Sequence, residues 1–185
     1  MTLHELALQK PESLEALKGL MPDFAKDIKL NISSVIKEDP NSGLTLNQIY
    51  GIALSAAYAT KNHAVVEAVS GEAAATLTQE EVNAAKAAAT VMAMNNIYYR
   101  FIHLAHDNEL SQMPAGLRMN VIGSPGIDKV TFELYSLGVS AINGCGLCIE
   151  SHAKHVQQNG ISKAGVQHTV RIAAVLNAAA QALTI

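Results

Sequence analysis

Residues 133–152 read ELYSLGVSAINGCGLCIESH, and they hold the densest group of reactive side chains in this 185-residue chain. The segment contains Cys145 and Cys148, the only two cysteines of the sequence. Cysteines two residues apart can close a disulfide or supply half of a tetrahedral metal site. His152 follows Cys148 by one helical turn, and Glu133 lies in the apolar run before the cysteines. The spacing alone leaves redox chemistry, metal binding and inert buried thiols open.

The dithiol is expected at the start of a helix, because Asn143-Gly144 interrupts the apolar helix before it. Unpaired N–H groups and the positive end of the helix dipole favour the thiolate there. His152 shares a helix face with Cys148 and can accept or relay the thiol proton. Glu133 can orient the imidazole if the two helices pack closely. Such a relay with two thiols suits reduction of a peroxide or a disulfide, in which one thiolate attacks and the other resolves the product.

Metal binding is the weaker interpretation of the same residues. Cys145, Cys148 and His152 would supply three ligands, whereas a closed structural zinc site needs a fourth, and the sequence has no second CxxC and no HxxxH. We therefore expect no metal and no tightly bound cofactor. We expect simpler roles for the other candidates. His155 should be peripheral, and His103 and His106 should lie at a helix end near a subunit contact. Core or interface packing is expected for Tyr98 and Tyr99, core filling for Met92 and Met94, and a buried polar contact near the dithiol or at an interface for Asn95 and Asn96.

Composition excludes several classes of function. Hydrophobic residues make up 49% of the chain, charged residues only 16%, and the net charge is −3. The low charge predicts helices buried on more than one face and therefore an oligomer. No basic patch indicates nucleic-acid binding, and no apolar run of about 18 residues indicates a membrane span. Residues 1–20 carry Glu5 and lack the apolar core of a secretory signal, so we expect a cytoplasmic protein.

Abundant alanine and rare strand-like alternation predict an all-α fold in one domain, residues 1–185. Start and stop signals predict helices at 11–20, 22–36, 46–60, 64–71, 79–106, 130–142, 148–158 and 163–183. Thr45, Thr78 and Ser162 are the expected N-caps, with Glu81 completing a capping box after Thr78. We expect residues 107–128 to be irregular around a short apolar turn. In the second helix, Phe24, Ile28 and Ile32 are expected to share one face.

An internal similarity predicts two related halves, about residues 22–106 and 117–185. Sliding the chain by 85 residues places residues 49–56 over residues 134–141, with tyrosine, serine and alanine coinciding. At this offset Thr60 and His63 occupy the cysteine positions, and Glu67 occupies the position of His152. The first half is therefore expected to be a scaffold copy without the dithiol.

The pattern Glu-x11-Cys-x2-Cys-x3-His, within SAINGCGLCIESH, resembles the alkyl hydroperoxidase D (AhpD) family of the carboxymuconolactone decarboxylase-like superfamily. The similarity extends to PDFAKDIKLNISSV from Pro22, MAMNNIYYRF from Met92 and LRMNVIGSPGIDKVTFELYSL from Leu117. It covers about residues 20–183. The resemblance implies an all-α, AhpD-like fold of two similar helical halves, usually assembled as a homotrimer.

The resemblance also implies a function. Members are antioxidant thiol-dependent peroxidases that reduce organic hydroperoxides and regenerate a partner peroxiredoxin of the alkyl hydroperoxide reductase C type. Their electrons come from dihydrolipoyl groups on a lipoylated dehydrogenase-complex subunit. By position, Cys148 would form the sulfenic acid, and Cys145 would be the proton donor and resolving cysteine that closes the redox disulfide. Glu133 and His152 would form the proton relay.

Leu147 departs from the family pattern, because some members have a histidine at this position between the cysteines. Either Glu133 and His152 suffice as the relay, with or without a water, or direct peroxidase activity is weak and disulfide exchange dominates. Two other functions remain open. One is a lactone decarboxylase of the same superfamily, whose members need no CxxC, and the other is a non-enzymatic oligomer whose disulfide switches assembly.

Overall fold

The computed structural model describes residues 11–185, and every regular element in this range is a helix, as the sequence predicts. A 3₁₀ turn at Asp23–Ala25 separates the first two α-helices. The α-helices are α1 (Leu14–Leu20), α2 (Lys26–Val35), α3 (Leu46–Thr60), α4 (His63–Ala73), α5 (Gln79–Ala105), α6 (Asn108–Gln112), α7 (Asn120–Gly123), α8 (Lys129–Asn143), α9 (Gly146–Gln158) and α10 (Lys163–Ala182).

Helix α8 lies at the centre of the fold and packs against α3, α5, α9 and α10. Its residues from Phe132 to Ser140 are all buried, so it is enclosed on every face over these two turns. Around it, α1 packs against α4, and α2 packs against α10. Because Glu133 belongs to this buried stretch, the fold carries a carboxylate into the interior, where it must have a partner.

Helices α3 and α8 approach each other closely where Gly51 faces Tyr135. A Cβ atom at Gly51 would overlap the ring and the hydroxyl of Tyr135, so only glycine fits there. The Tyr135 side chain is fully buried, and its hydroxyl has no hydrogen-bond partner among the described residues. Burial raises the pKa of Tyr135 well above its usual range.

The structure confirms the predicted N-caps. Thr45 and Thr78 each begin a helix with a complete capping box, closed by Gln48 and Glu81 respectively. Ser162 caps α10 by accepting a hydrogen bond from the Gly165 N–H at 3.0 Å. These caps fix the starts of α3, α5 and α10 at the predicted positions, and each of these helices ends within about one residue of its predicted end.

Some other predicted boundaries were wrong, and local capping explains the start of α1. Helix α1 begins at Leu14 instead of Pro11, because Ser13 accepts the Ala16 N–H. Helix α4 runs from His63 to Ala73 with Asn62 as its N-cap, close to the prediction of about Ala64 to Gly71 or slightly beyond. The predicted helix 22–36 is a 3₁₀ turn followed by α2, and Phe24 in that turn is exposed. The segment 107–128 contains the short helices α6 and α7.

Two expectations drawn from composition have different outcomes. Across residues 11–185, no helix has the length and apolar character that crossing a membrane requires. The expectation that the N-terminus is not a secretory signal concerns mainly residues 1–10, which lie outside the described part of the chain.

Candidate active site

The two cysteines form a disulfide where α8 turns into α9. Gly144 ends α8 in the left-handed conformation (φ 68°), which glycine adopts without strain. The next residue, Cys145, is the N-cap of α9, and its Sγ lies 3.3 Å from the Cys148 N–H, which donates to it. The Cα atoms of Cys145 and Cys148 are 5.3 Å apart, within the usual range for a disulfide. The predicted start of this helix at Cys148 is therefore two residues late.

The two sulfur-bearing residues differ in accessibility. Cys145 is fully buried, whereas Cys148 is 7% exposed and lines a cavity. A reagent entering that cavity therefore meets Cys148 first. That Cys148 attacks and Cys145 resolves stays a prediction.

Glu133 and His152 meet, which the sequence made conditional on the packing of the two helices. The Glu133 Oε2 atom lies 2.6 Å from His152 Nδ1, and both side chains are buried. The contact joins α8 to α9, so the same hairpin that carries the disulfide also forms the pair. The carboxylate fixes the orientation of the imidazole ring.

His152 decides the charge state of its partner. Burial alone would raise the pKa of Glu133, but the hydrogen bond and the charge of His152 oppose it, with smaller help from His155 and Lys129. The net result is a pKa of Glu133 below its ordinary value. The carboxylate therefore stays ionised at neutral pH.

The second ring nitrogen of His152 points towards Met92. The Nε2 atom is 3.3 Å from Met92 Sδ, a weak hydrogen-bond acceptor. The sequence predicts core packing for Met92, and the residue is indeed buried, but it also borders the candidate site. Since Nδ1 is occupied by Glu133, Nε2 is the nitrogen that remains for exchange of protons with a ligand.

The cavity beside the disulfide has a volume of about 370 Å³, within the range of small-molecule sites. Leu147 lies on its rim and is 39% exposed. One wall comes from α5, one from α9 and one from α7, with Glu133 contributed by α8. The lining residues are Met92, Asn95, Tyr99, Met119, Ile122, Glu133, Leu147, Cys148, Ser151, His152 and His155.

Sequence reasoning missed part of this lining. Met92 and Tyr99 were not assigned to the site. With Asn95, for which a place near the dithiol was one expectation, they recur at helical spacing on a single face of α5, a signal that could have grouped them. Met119 and Ile122 lie in a segment expected to be irregular, and nothing in the sequence assigns them to the site. His155, expected to be peripheral, also lines the cavity.

A polar network supports the turn that carries the disulfide. Asn96 donates to Ser140 Oγ at 2.9 Å and accepts from Asn143 Nδ2 at 2.9 Å. Arg100 donates to the Asn143 carbonyl at 2.7 Å. The network ties α5 to the end of α8, two residues before Cys145. For Asn96, the structure therefore favours the predicted contact near the dithiol.

Two predicted candidates lie away from the site. His103 and His106 are exposed at the end of α5, with ring centroids 6.3 Å apart. Tyr98 packs edge-on against Tyr99. Over residues 11–185, no three His, Cys, Asp or Glu side chains converge as a metal site would require.

The fold and the site together define an all-α protein with a CxxC disulfide at a helix N-terminus. Residues 108–185 match the model of the carboxymuconolactone decarboxylase family. The chain is 55% identical over 168 residues to the alkyl hydroperoxide reductase AhpD of Coxiella burnetii (strain RSA 493 / Nine Mile phase I), covering 91% of this chain and 95% of the relative. It is 51% identical over 171 residues to the protein of the same name from Azorhizobium caulinodans, covering 92% and 93% of the two chains.

A third protein of that name, from Rhodospirillum centenum, is 50% identical over 171 residues, covering 92% of this chain and 90% of its own. The chain therefore belongs to the AhpD family, within the carboxymuconolactone decarboxylase-like superfamily. The resemblance that rested on the CxxC segment is confirmed over most of the chain.

Proposed function

We propose that this protein is an antioxidant oxidoreductase that reduces organic hydroperoxides through the Cys145–Cys148 dithiol. One observation carries the proposal: the accessible cysteine and the buried Glu133–His152 pair border the same cavity. The relatives named alkyl hydroperoxide reductase support it. In these roles Cys148 is the attacking cysteine, Cys145 the resolving cysteine, and Glu133 with His152 the proton relay.

The oxidative half-reaction follows from these roles. The Cys148 thiolate attacks the terminal oxygen of the hydroperoxide and the O–O bond breaks, so that sulfur is oxidised to the sulfenic acid. The electron pair leaves on the alkoxide oxygen, which takes a proton from His152 and departs as the alcohol. Cys145 gives its proton to His152 and attacks the sulfenic sulfur as a thiolate. The hydroxide that leaves takes up that proton and departs as water, and the disulfide closes.

The reductive half-reaction returns two electrons from a dithiol, for which we propose a dihydrolipoyl group on a dehydrogenase-complex subunit. One thiolate of the donor attacks Cys148, the more exposed sulfur, and the second closes the donor's own disulfide. Cys145 leaves as a thiolate at the N-cap of α9, where the Cys148 N–H at 3.3 Å and the helix dipole stabilise its charge. A stabilised leaving thiolate accelerates disulfide exchange. Reduction of a partner peroxiredoxin follows by the same exchange.

Assembly and location complete the proposal. Ile97, Phe101 and Leu104 recur at helical spacing on α5, and each is more than half exposed. Such an apolar stripe supports a homotrimer in which these side chains are covered. A dithiol that must be reduced in each cycle supports a cytoplasmic location, where reductants are supplied.

Cys148→Ser tests the function. The variant should lose hydroperoxide consumption by at least about a thousandfold, because no other thiol is placed to attack. Cys145→Ser should instead accumulate a sulfenic acid on Cys148 that dimedone traps. The rate of hydroperoxide consumption by the wild-type protein, measured with a dihydrolipoyl domain and then with thioredoxin as reductant, identifies the electron donor. The same assay with and without a peroxiredoxin tests whether that protein accepts the electrons. Full activity of Cys148→Ser would refute the proposal.

A second candidate function is decarboxylation of a lactone, which the match to the carboxymuconolactone decarboxylase family favours. The Glu133–His152 pair could act there as a general base without either thiol. Turnover of such a lactone that survives alkylation of both cysteines would support this function over peroxide reduction.

A further inference from the structure

Asn95 is a buried amide on the wall of the site cavity, and part of it has no partner. Only 4% of the residue is exposed, and its Oδ1 atom is buried with no hydrogen-bond donor in reach among residues 11–185. An unpaired buried oxygen destabilises a fold, so its presence needs a reason. Its neighbour Asn96 shows the contrast, since both ends of that amide are bonded to Ser140 and Asn143.

We propose that Asn95 is a substrate-contacting residue, whose amide hydrogen-bonds the peroxide group of an organic hydroperoxide during attack by Cys148. The inference rests on the proposed peroxidase function. Asn95 and Cys148 lie on the walls of one cavity, contributed by α5 and α9. Glu133 binds His152 Nδ1, and Met92 Sδ lies beside His152 Nε2, whereas the Asn95 oxygen has no hydrogen-bond partner within residues 11–185.

Asn95 has a defined place in the reaction. The Asn95 amide hydrogen-bonds the terminal oxygen of the hydroperoxide and holds that oxygen in place for the Cys148 thiolate. That oxygen transfers to sulfur as the O–O bond breaks. The inner oxygen carries away the electron pair and takes its proton from His152. Each oxygen of the peroxide group therefore contacts one polar side chain: Asn95 binds the oxygen that is transferred, and His152 protonates the oxygen that leaves.

The rest of the cavity indicates which hydroperoxides fit. Hydrogen peroxide is about the size of a water molecule, which occupies about 30 Å³ in the liquid, whereas the cavity has a volume of about 370 Å³. Met119, Ile122 and Leu147 supply apolar walls for an organic group. Leu147, where some family members have histidine, adds apolar surface at the rim. The structure therefore assigns the peroxide group to Asn95 and the apolar part of the substrate to the Leu147 side.

Asn95→Leu separates this role from a structural one, because leucine has a similar branched shape without the amide. Oxidation of the reduced protein by cumene hydroperoxide should slow about tenfold, the effect of one lost hydrogen bond in a transition state. Reduction of its disulfide by dithiothreitol should keep the wild-type rate. Its melting temperature should be unchanged or higher, because an unpaired buried amide has been removed. Asn83→Leu, at an exposed position of the same helix, is the control and should change neither rate.

Asn95→Ala guards against a packing effect of the larger side chain and should show the same selective loss. Wild-type oxidation rates in both Asn95 variants would overturn the inference. A fall in melting temperature with equal slowing of both half-reactions would also overturn it, because that pattern marks a structural residue. If the wild-type protein itself leaves cumene hydroperoxide unconsumed, the proposed function fails first, and the role of Asn95 fails with it.

Discussion

Two helical hairpins of this protein, α3–α4 and α8–α9, have the same local plan, but only the second carries a disulfide. In each, the first helix has 15 residues and ends at a residue in the left-handed conformation, Lys61 or Gly144. The following residue is the N-cap of the second helix, Asn62 or Cys145. Both pairs of residues lie 83 positions apart.

This structural register differs from the predicted one by two residues. At the offset of 85 residues, the counterparts of Cys145, Cys148 and His152 were Thr60, His63 and Glu67. Aligning the helix ends, at an offset of 83 residues, gives Asn62, Val65 and Val69 as the counterparts instead. A shared alanine or serine misleads an alignment in an alanine-rich chain, whereas capping residues mark where helices begin. That the halves form a repeat stays a prediction.

The difference between the hairpins shows how the site is made. The Val65 N–H donates to the Asn62 side chain at 3.2 Å, and the Cys148 N–H donates to Cys145 Sγ at 3.3 Å. The backbone turn is therefore the same. Val65 and Val69 are buried in the core of the first hairpin. Their counterparts Cys148 and His152 line a cavity. Reactive side chains therefore take the positions that core valines occupy in the first hairpin.

The largest expected effect comes from breaking the contact that joins the two hairpins. Gly51→Ala should lower the free energy of unfolding by about 3 kcal/mol, because its Cβ overlaps Tyr135 in a packed interior. Urea denaturation measures the loss. Gly19→Ala is the matched control, since nothing lies within 4 Å of a Cβ there and alanine favours a helix. Equal stability of the two variants would mean that α3 and α8 do not pack as described.

The sequence predicted the helices better than it predicted the cavity, for a physical reason. Caps such as Thr45 and Thr78 act within three residues, so a local pattern reveals them. The pairing of Glu133 with His152 depends on how two helices pack, and the sequence could state it only as a condition. Tyr99 and Met119 meet across 20 residues of chain, at a contact between Tyr99 Oη and Met119 Sδ of 4.0 Å, and no local signal encodes it.

A smaller effect is expected from substituting each of the two N-cap residues, Asn62 and Cys145. Asn62→Ala should destabilise the fold by about 1 kcal/mol, because α4 loses its cap, and should leave hydroperoxide reduction intact. Cys145→Ser should keep the stability of the reduced wild-type protein, since a serine hydroxyl caps a helix well, yet it cannot close the disulfide. Urea denaturation in reducing buffer, together with peroxide consumption, measures both. A loss of activity in Asn62→Ala would show that the hairpins do not separate structure from chemistry.

The smallest effect concerns pH, and here the two hairpins should respond in opposite directions. Glu133 and its counterpart Tyr50 lie 83 residues apart. The pKa of Glu133 is below its ordinary value of 4.5, because the pull of His152 outweighs burial, so its contribution to stability is complete above that value and is lost as pH falls through the folded pKa. The pKa of Tyr50 is raised above 10.0 by burial and by Glu72, so its contribution is complete below 10.0 and is lost as pH rises further.

Urea denaturation from about pH 3 to pH 11 measures both contributions to the free energy of unfolding. Substituting Glu133 should alter the acid end of the profile, and substituting Tyr50 should alter the alkaline end. Glu133→Gln should flatten the fall of stability with acid below the ordinary carboxyl pKa, and Tyr50→Phe should flatten the fall with alkali. Glu109→Gln, at an exposed position of α6, is the control for removing a carboxylate. An acid limb that is as steep in Glu133→Gln as in the wild type would mean that the Glu133–His152 pair does not stabilise the folded state. The pair in the second hairpin would then serve catalysis alone and would make no contribution to the free energy of unfolding.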